Sequence, residues 1–245
     1  MRRIIWLVLL LFLTREAQPI EIKSISVSEV DRLFGYGADH ADERQALELV
    51  ERALTDAPTD YELLWRAARS YYYVGEGAAA KDRLKYYELG IEVGHRTVAT
   101  NPESVEGHFW LAANYGGYCR EKGGLTAFRT IKRVRAGMET VLQLNDGYEE
   151  ASAYLALGEI DRQLPRLFGG NLKRSIAYLE RGLNIAPTSS EIKCALAEAY
   201  LKANRKVEAR RQLEELLQLP LIARVNENRR AQEKARRLLA NLDKK

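Results

Sequence analysis

The sequence predicts an all-α fold, a solenoid of stacked helix pairs, and three observations carry that prediction. Helix-stopping motifs recur: ALTDAP ends at Pro58, TVATNP at Pro102, LQLND at Asp146, LNIAP at Pro187 and LLQLP at Pro220. They lie 44, 44, 41 and 33 residues apart, a period typical of stacked supersecondary units. An amphipathic helix precedes each stop, with small residues at fixed places. Ser175, Leu179, Gly182 and Pro187 stand at offsets 0, 4, 7 and 12, repeated by Ala46, Val50, Ala53 and Pro58 and by Gly90, Gly94, Thr97 and Pro102. Small residues at offsets 0 and 7 let neighbouring helices approach, and the proline ends the helix because it lacks an N–H. A second helix pattern then follows each stop.

Taken in order, the chain opens on Met1-Arg2-Arg3 and the apolar run Ile4–Leu13. A basic head and a ten-residue apolar core have the form of an export signal, and the run is half the ~20 residues that a membrane-spanning helix needs. Residues 1–18 are therefore read as a leader, cleaved near Ala17 or Gln18 or kept as an anchor, and the protein as exported to the periplasm. No cysteine follows the apolar core, so a lipoprotein anchor is not expected.

Residues 19–220 hold about four to five repeat units. After the stops, Leu64, Ala67, Ala68 and Tyr71, then Leu111, Ala112 and Tyr115, then Tyr154, Leu157 and Gly158, then Leu196, Ala197 and Tyr200 mark the first helix of successive pairs. Three pairs carry extra chain: VGEGAAAKDRL, GGYCREKGGLTAF and RQLPRLFGG. These are expected to lengthen the turns between paired helices and to project from one face of the solenoid. Residues 221–245 read as a basic capping helix, with Ala231, Ala235, Leu238, Leu239 and Leu242 on one stripe and Arg229, Arg230, Arg236 and Arg237 mostly off it.

Composition excludes several classes. The 245 residues are 46% hydrophobic and 29% charged, with 17 Gly and 6 Pro, which is globular rather than collagen-like or disordered. Two cysteines, Cys119 and Cys194, rule out a disulfide scaffold and a four-cysteine zinc site, and both are expected as buried thiols. The net charge of +4 has an address: +2 in residues 1–18 and +5 in residues 221–245, which leaves −3 on the body. A nucleic-acid partner would need a basic stripe across the fold, and none is expected.

Catalytic chemistry is not expected either. His40, His95 and His108 are isolated, and Glu92 with His95 is half of a di-iron pattern whose other half is missing. Neither a phosphate-binding Walker loop nor a nucleophile elbow occurs. No cofactor is implied. What remains is surface. First-helix positions that line a solenoid's concave side include Trp65, Arg69, Tyr72 and Tyr73, then Phe109, Trp110, Asn114 and Tyr118, with Arg120 following. Trp110, Asn114, Tyr118, Arg120, Tyr72 and Arg69 are the candidate ligand- or partner-binding residues, because aromatics with a few polar groups build clefts and interface hot spots.

The Leu-Ala-x-x-Tyr helix followed by the Ala-aliphatic helix resembles the tetratricopeptide repeat. Longer segments, ESVEGHFWLAANYGGYCREKGG, GMETVLQLNDGYEEASAYLALGEI, LFGGNLKRSIAYLERGLNIAP and NENRRAQEKARRLLA, resemble the T component of tripartite ATP-independent periplasmic (TRAP) transporters, over about residues 40–240. That resemblance implies an exported, non-enzymatic helical-repeat protein that associates with the transporter's periplasmic substrate-binding protein. It also implies a trimer with a central pore and a small organic ligand. The alternative expectation is an envelope-assembly scaffold that binds peptide segments of protein partners.

Overall fold

The computed structural model describes residues 27–34, 40–220 and 225–244, so residues 1–18, expected as a leader, lie outside the described residues. Among the described residues the structure is all helical. The first helix pair is α1 (Val27–Leu33) with α2 (His40–Asp56), and the second is α3 (Tyr61–Gly77) with α4 (Ala80–Thr100). The third is α5 (Val105–Lys122) with α6 (Gly124–Leu144), the fourth α7 (Tyr148–Gln163) with α8 (Leu172–Ile185), and the fifth α9 (Ser190–Lys202) with α10 (Lys206–Leu217). The helix α11 (Val225–Asp243) packs on α9 and α10 and covers the end of the stack.

The stops act as the sequence suggests. Helices α2, α4 and α8 end two residues before Pro58, Pro102 and Pro187. Just before each proline a backbone N–H closes the last turn, Ala57 onto Ala53, Asn101 onto Thr97 and Ala186 onto Gly182. Two residues past each proline, a side-chain oxygen caps the next helix. Asp60 accepts from the Leu63 N–H at 3.0 Å, Ser104 from Gly107 at 2.7 Å and Ser189 from Ile192 at 3.4 Å. The Asp146 stop keeps the first device, Asn145 onto Val141, and lacks the second: Gly147 stands at the cap position without a side-chain acceptor. There Glu149, Glu150 and Ala151 take positive φ values of 46°, 56° and 61°, a strained first turn.

The extra chain does not lengthen the first two turns, and this corrects the expectation. It extends the helices instead. Only Ala78 and Ala79 separate α3 from α4, and Gly123 alone separates α5 from α6. Helix α4 has 21 residues against 12 in α10, so at ~1.5 Å per residue it stands about 13 Å taller. Residues such as Ala, Lys, Arg and Leu in these segments are good helix formers, and packing locks the extension in place. The Tyr87 ring of α4, 1% exposed, lies against Gly117 of α5. A Cβ on Gly117 would stand 2.3 Å from that ring, so only glycine admits it. The third segment does form a turn, with a single 3-10 turn at Arg166–Phe168.

The core runs along the stack in three overlapping stretches, the largest spanning α1 to α7. On α11, Ala231 and Ala235 are buried and Leu238, Leu239 and Leu242 pack beside them, while the four arginines are exposed. Among the described residues, no helix is long and apolar enough to cross a membrane.

Candidate partner-binding surface

One continuous stack of rings and cations ties the first helices of successive pairs together. It begins at α1. Asp31 accepts hydrogen bonds from Arg66 at 2.9 and 2.6 Å and from Arg69 at 2.8 Å. Burial pushes the Asp31 carboxyl upward, yet the two guanidinium groups outweigh it and hold it below its usual value. Arg66 also donates to Glu62 at 2.6 Å, and Glu62 accepts from the Trp65 indole at 3.0 Å. The Arg69 guanidinium stacks 4.0 Å from the Phe34 ring centre and 4.9 Å from that of Trp65. Its Nε is buried with no hydrogen-bond partner.

From there the rings run on. Phe34 meets Tyr73 at 5.8 Å, and Tyr73 and Tyr72 meet Trp110 at 5.6 and 5.9 Å. Trp110 meets Phe109 edge-on at 4.9 Å, and Phe109 meets Tyr148 of α7 at 5.2 Å. The Trp110 indole donates to the Tyr148 hydroxyl at 3.2 Å. Burial, with Glu76 nearby, pushes the Tyr72 phenol up to about 12, so it stays protonated and offers a contact rather than a base.

The structure distributes the six candidate residues between stack, interior and rim. Arg69, Tyr72 and Trp110 are parts of the stack, and of these Trp110 is 2% exposed. Asn114 is fully buried: its Nδ2 donates to the Ala68 carbonyl at 2.9 Å and the Trp110 carbonyl at 2.8 Å, so it ties α3 to α5. Tyr118 is half-buried, with the Lys122 ammonium 5.7 Å from its ring. Arg120 is exposed at the tall end of α5, paired with Glu76 and beside Tyr87. The six do not converge on one point. A depression of about 440 Å³ lies instead on one face of α2, lined by Glu48, Glu51, Arg52 and Thr55.

Asp31, Phe34, Arg66 and Tyr148 escaped the sequence reading. One signal was available for Arg66: it stands 44 residues before Trp110, the period of the stops, so both occupy the same register. Asp31, Phe34 and Tyr148 had no such marker. The histidines His95 and His108 are engaged in hydrogen bonds, His95 with the Tyr115 hydroxyl and His108 with the Pro102 carbonyl, each at 2.8 Å. Cys119 and Cys194 are buried free thiols.

The stack lies wholly within residues 26–160, the segment matched by the sequence profile of a family described as regulator of microtubule dynamics protein 1-3. The chain belongs to that family. The profile covers more than half of this regulator-family chain, and a tetratricopeptide-repeat profile matches residues 169–219. Solved structures share the fold. A thermophilic tetratricopeptide-repeat protein of Thermus thermophilus, TTC0263, is 24% identical with a TM-score of 0.60, over 79% of this chain and 91% of that one. MamA is 17% identical with a TM-score of 0.51, over 78% and 87% of the two chains. No curated protein matches in sequence. This regulator-family chain is thus a tetratricopeptide-type helical solenoid, a fold that suggests protein–protein interaction.

Proposed function

We propose that the chain is a non-enzymatic, exported adaptor that docks a protein partner on the face where the Phe34–Tyr148 stack emerges. The observation that carries this is Arg69: a guanidinium 4.0 Å from the Phe34 ring centre and 4.9 Å from that of Trp65, with a buried Nε that has no partner. Aromatic and arginine anchors held rigid by their neighbours are what concentrate binding energy in an interface. Phe34, Trp65, Arg69, Tyr72, Tyr73 and Tyr148 are all half-buried, so each keeps some surface that a partner can reach.

The resemblance of the longer segments points to the periplasmic substrate-binding protein of a TRAP transporter as that partner, within a trimer that relays a small organic ligand. The basic head and apolar run of residues 1–13 support an exported location. The matched family's description names microtubule dynamics, and an exported chain does not meet that polymer. On the exported reading, tubulin is therefore not the proposed partner. An envelope-assembly scaffold uses the same face for peptide segments.

Affinity capture from gently crosslinked envelope extract tests the reading, with wild type compared to Trp65→Ala and Arg69→Gln. Recovery of a substrate-binding protein that both variants lose is the expected result. Recovery of envelope-assembly proteins makes the chain a scaffold, and equal capture by wild type and both variants removes this face from the account. Light scattering on the purified protein reports whether it is a trimer.

A further inference from the structure

A second surface lies at the turn between α7 and α8. The average charge of −3 on the body conceals it, because it is a local patch and not a basic stripe across the fold. Between Glu121 and Glu139 the chain holds five Lys and Arg and no acidic residue. Between Asp161 and Glu180 it holds four, again with none. The fold brings these two windows together, because Phe128 of α6 and Phe168 of the turn meet edge-on at 5.1 Å.

Several of the nine cations are engaged internally. Arg135 and Arg174 bind the buried Asp161 carboxylate, Arg162 binds Glu159 and Glu198, and Arg133 donates to the Tyr115 hydroxyl. Arg129, Lys132, Arg166 and Lys173 are all exposed, and Lys132 lies 5.9 Å from the Phe128 ring. In the turn itself Leu167 is 88% exposed and Phe168 is 49% exposed.

These two side chains do not protrude because the turn is loose. The Gly170 N–H donates to the Pro165 carbonyl at 3.2 Å, and the Asn171 N–H to the Asp161 carbonyl at 3.0 Å. Arg174 donates to the Gly169 carbonyl at 3.0 Å, and Gly169 holds a φ of 88°. The backbone packs so tightly that a Cβ on Gly170 would stand 1.9 Å from the Leu164 oxygen. A fixed turn thus presents an aliphatic side chain and a half-exposed ring, joined by the Phe128 contact to the exposed cations of the other window.

We propose that this edge docks the protein on an anionic membrane surface, with Leu167 and Phe168 entering the boundary between headgroups and acyl chains. The four cations would lie level with the lipid phosphates. Apolar tips supply burial and the exposed cations supply attraction to anionic headgroups, the combination that holds peripheral proteins at an interface. The charge complementarity is to an anionic surface, and the apolar tips select lipid among such surfaces. A nucleic acid would gain from flat, exposed rings on which bases stack, whereas the most exposed apolar group here is a leucine. The proposal is independent of the partner on the stack of rings, which lies on other helices.

The test uses the full chain with a single added thiol, Leu167→Cys, labelled with the environment-sensitive dye NBD, since Cys119 and Cys194 are buried. Val207→Cys on α10, a position 81% exposed, is the control site. Each is mixed with vesicles of phosphatidylcholine alone or with added phosphatidylglycerol. The expected result is a blue-shifted, roughly tenfold stronger response at position 167 with anionic vesicles than with neutral ones, reduced by high salt and by Arg129→Glu with Lys132→Glu, and none at position 207. If vesicles bind through the leader while the dye at 167 stays in water, the proposal is overturned. It is also overturned if a single-stranded oligonucleotide or an acidic polypeptide shifts the dye as strongly and competes with the vesicles.

Discussion

The contact between Asn114 and Gly90 offers a quantitative check on how this solenoid is packed. A Cβ built on Gly90 of α4 falls 2.1 Å from Asn114 Oδ1 and 2.4 Å from its Cγ. The amide cannot step aside without giving up its bonds to the Ala68 and Trp110 carbonyls. In Gly90→Ala, losing those bonds costs ~1–3 kcal/mol. Overpacking adds ~1–3 kcal/mol, and the better helix propensity of alanine returns about 1. A net destabilisation of about 1–5 kcal/mol is expected. One repeat earlier the same register holds Ala46 and Ser70, both fully buried, and Ser70 Oγ donates to the Arg66 carbonyl at 2.8 Å. Serine at 114 should reproduce that bond to Trp110 and vacate the space that the added methyl group at position 90 needs. Asn114→Ser alone should therefore cost about 1–2 kcal/mol for the lost Ala68 bond and the void, and the double variant should cost no more than the worse single. Urea unfolding followed by circular dichroism, with the slope checked for constancy, gives the coupling energy. Additive costs would refute the reasoning, because the two residues would then not share one space.

Other consequences are simpler to state. Asp161→Asn leaves Arg135 and Arg174 facing a neutral amide, and should cost about 3 kcal/mol in the same assay, the low end for a broken buried pair because Arg174 also reaches solvent. Asp31 is held below its unfolded value, so its contribution is complete above the ordinary carboxylate range and is lost as pH falls through the folded value, below pH ~4. Hydrogen exchange in α1 should rise on that acidification, and Asp31→Asn should raise it already at neutral pH and flatten the pH dependence. Burial pushes both thiols up to about 11, so Cys119 and Cys194 should resist a thiol reagent at mild alkaline pH and react fully in urea.

Much of the fold was legible because the signals were local. Proline after a small-residue helix, and an oxygen-bearing cap two residues on, fix where α2, α4 and α8 end and where α3, α5 and α9 begin. The tall α3–α6 block was not legible. Glycine-rich segments such as VGEGAAAKDRL read as turns, and only the meeting of Tyr87 with Gly75 and Gly117 shows why they continue as helix. The stack was half visible: Arg69, Tyr72 and Trp110 stand at concave positions, but Asp31 lies on a seven-residue helix, and Phe34 just past its end, with no periodic mark. Asn114 was legible as unusual and not as buried, since an interior helix position suits asparagine only when a neighbouring backbone offers acceptors. Here Ala68 of α3 does.

Charge teaches the same lesson from the other side. A net value is an average over a surface, whereas a partner meets a patch. Of the +5 carried by residues 221–245, α11 itself holds +2, its five cations set against Glu227, Glu233 and Asp243, and its Lys234 reaches across to Glu198. The cations of residues 122–138 and 162–179 belong to a body that sums to −3, yet the fold joins the two windows. What joins them is one ring contact, Phe128 on Phe168, at a turn whose geometry is set by Gly169 and Gly170. Spacing along the chain carries no trace of that contact, because the two windows lie on different helix pairs. Pairing decides the rest: the buried Asp161 carboxylate takes up Arg135 and Arg174, and Arg129, Lys132, Arg166 and Lys173 are left facing outward. A basic surface on an acidic body is therefore set by which carboxylates the fold buries, more than by how many the sequence holds.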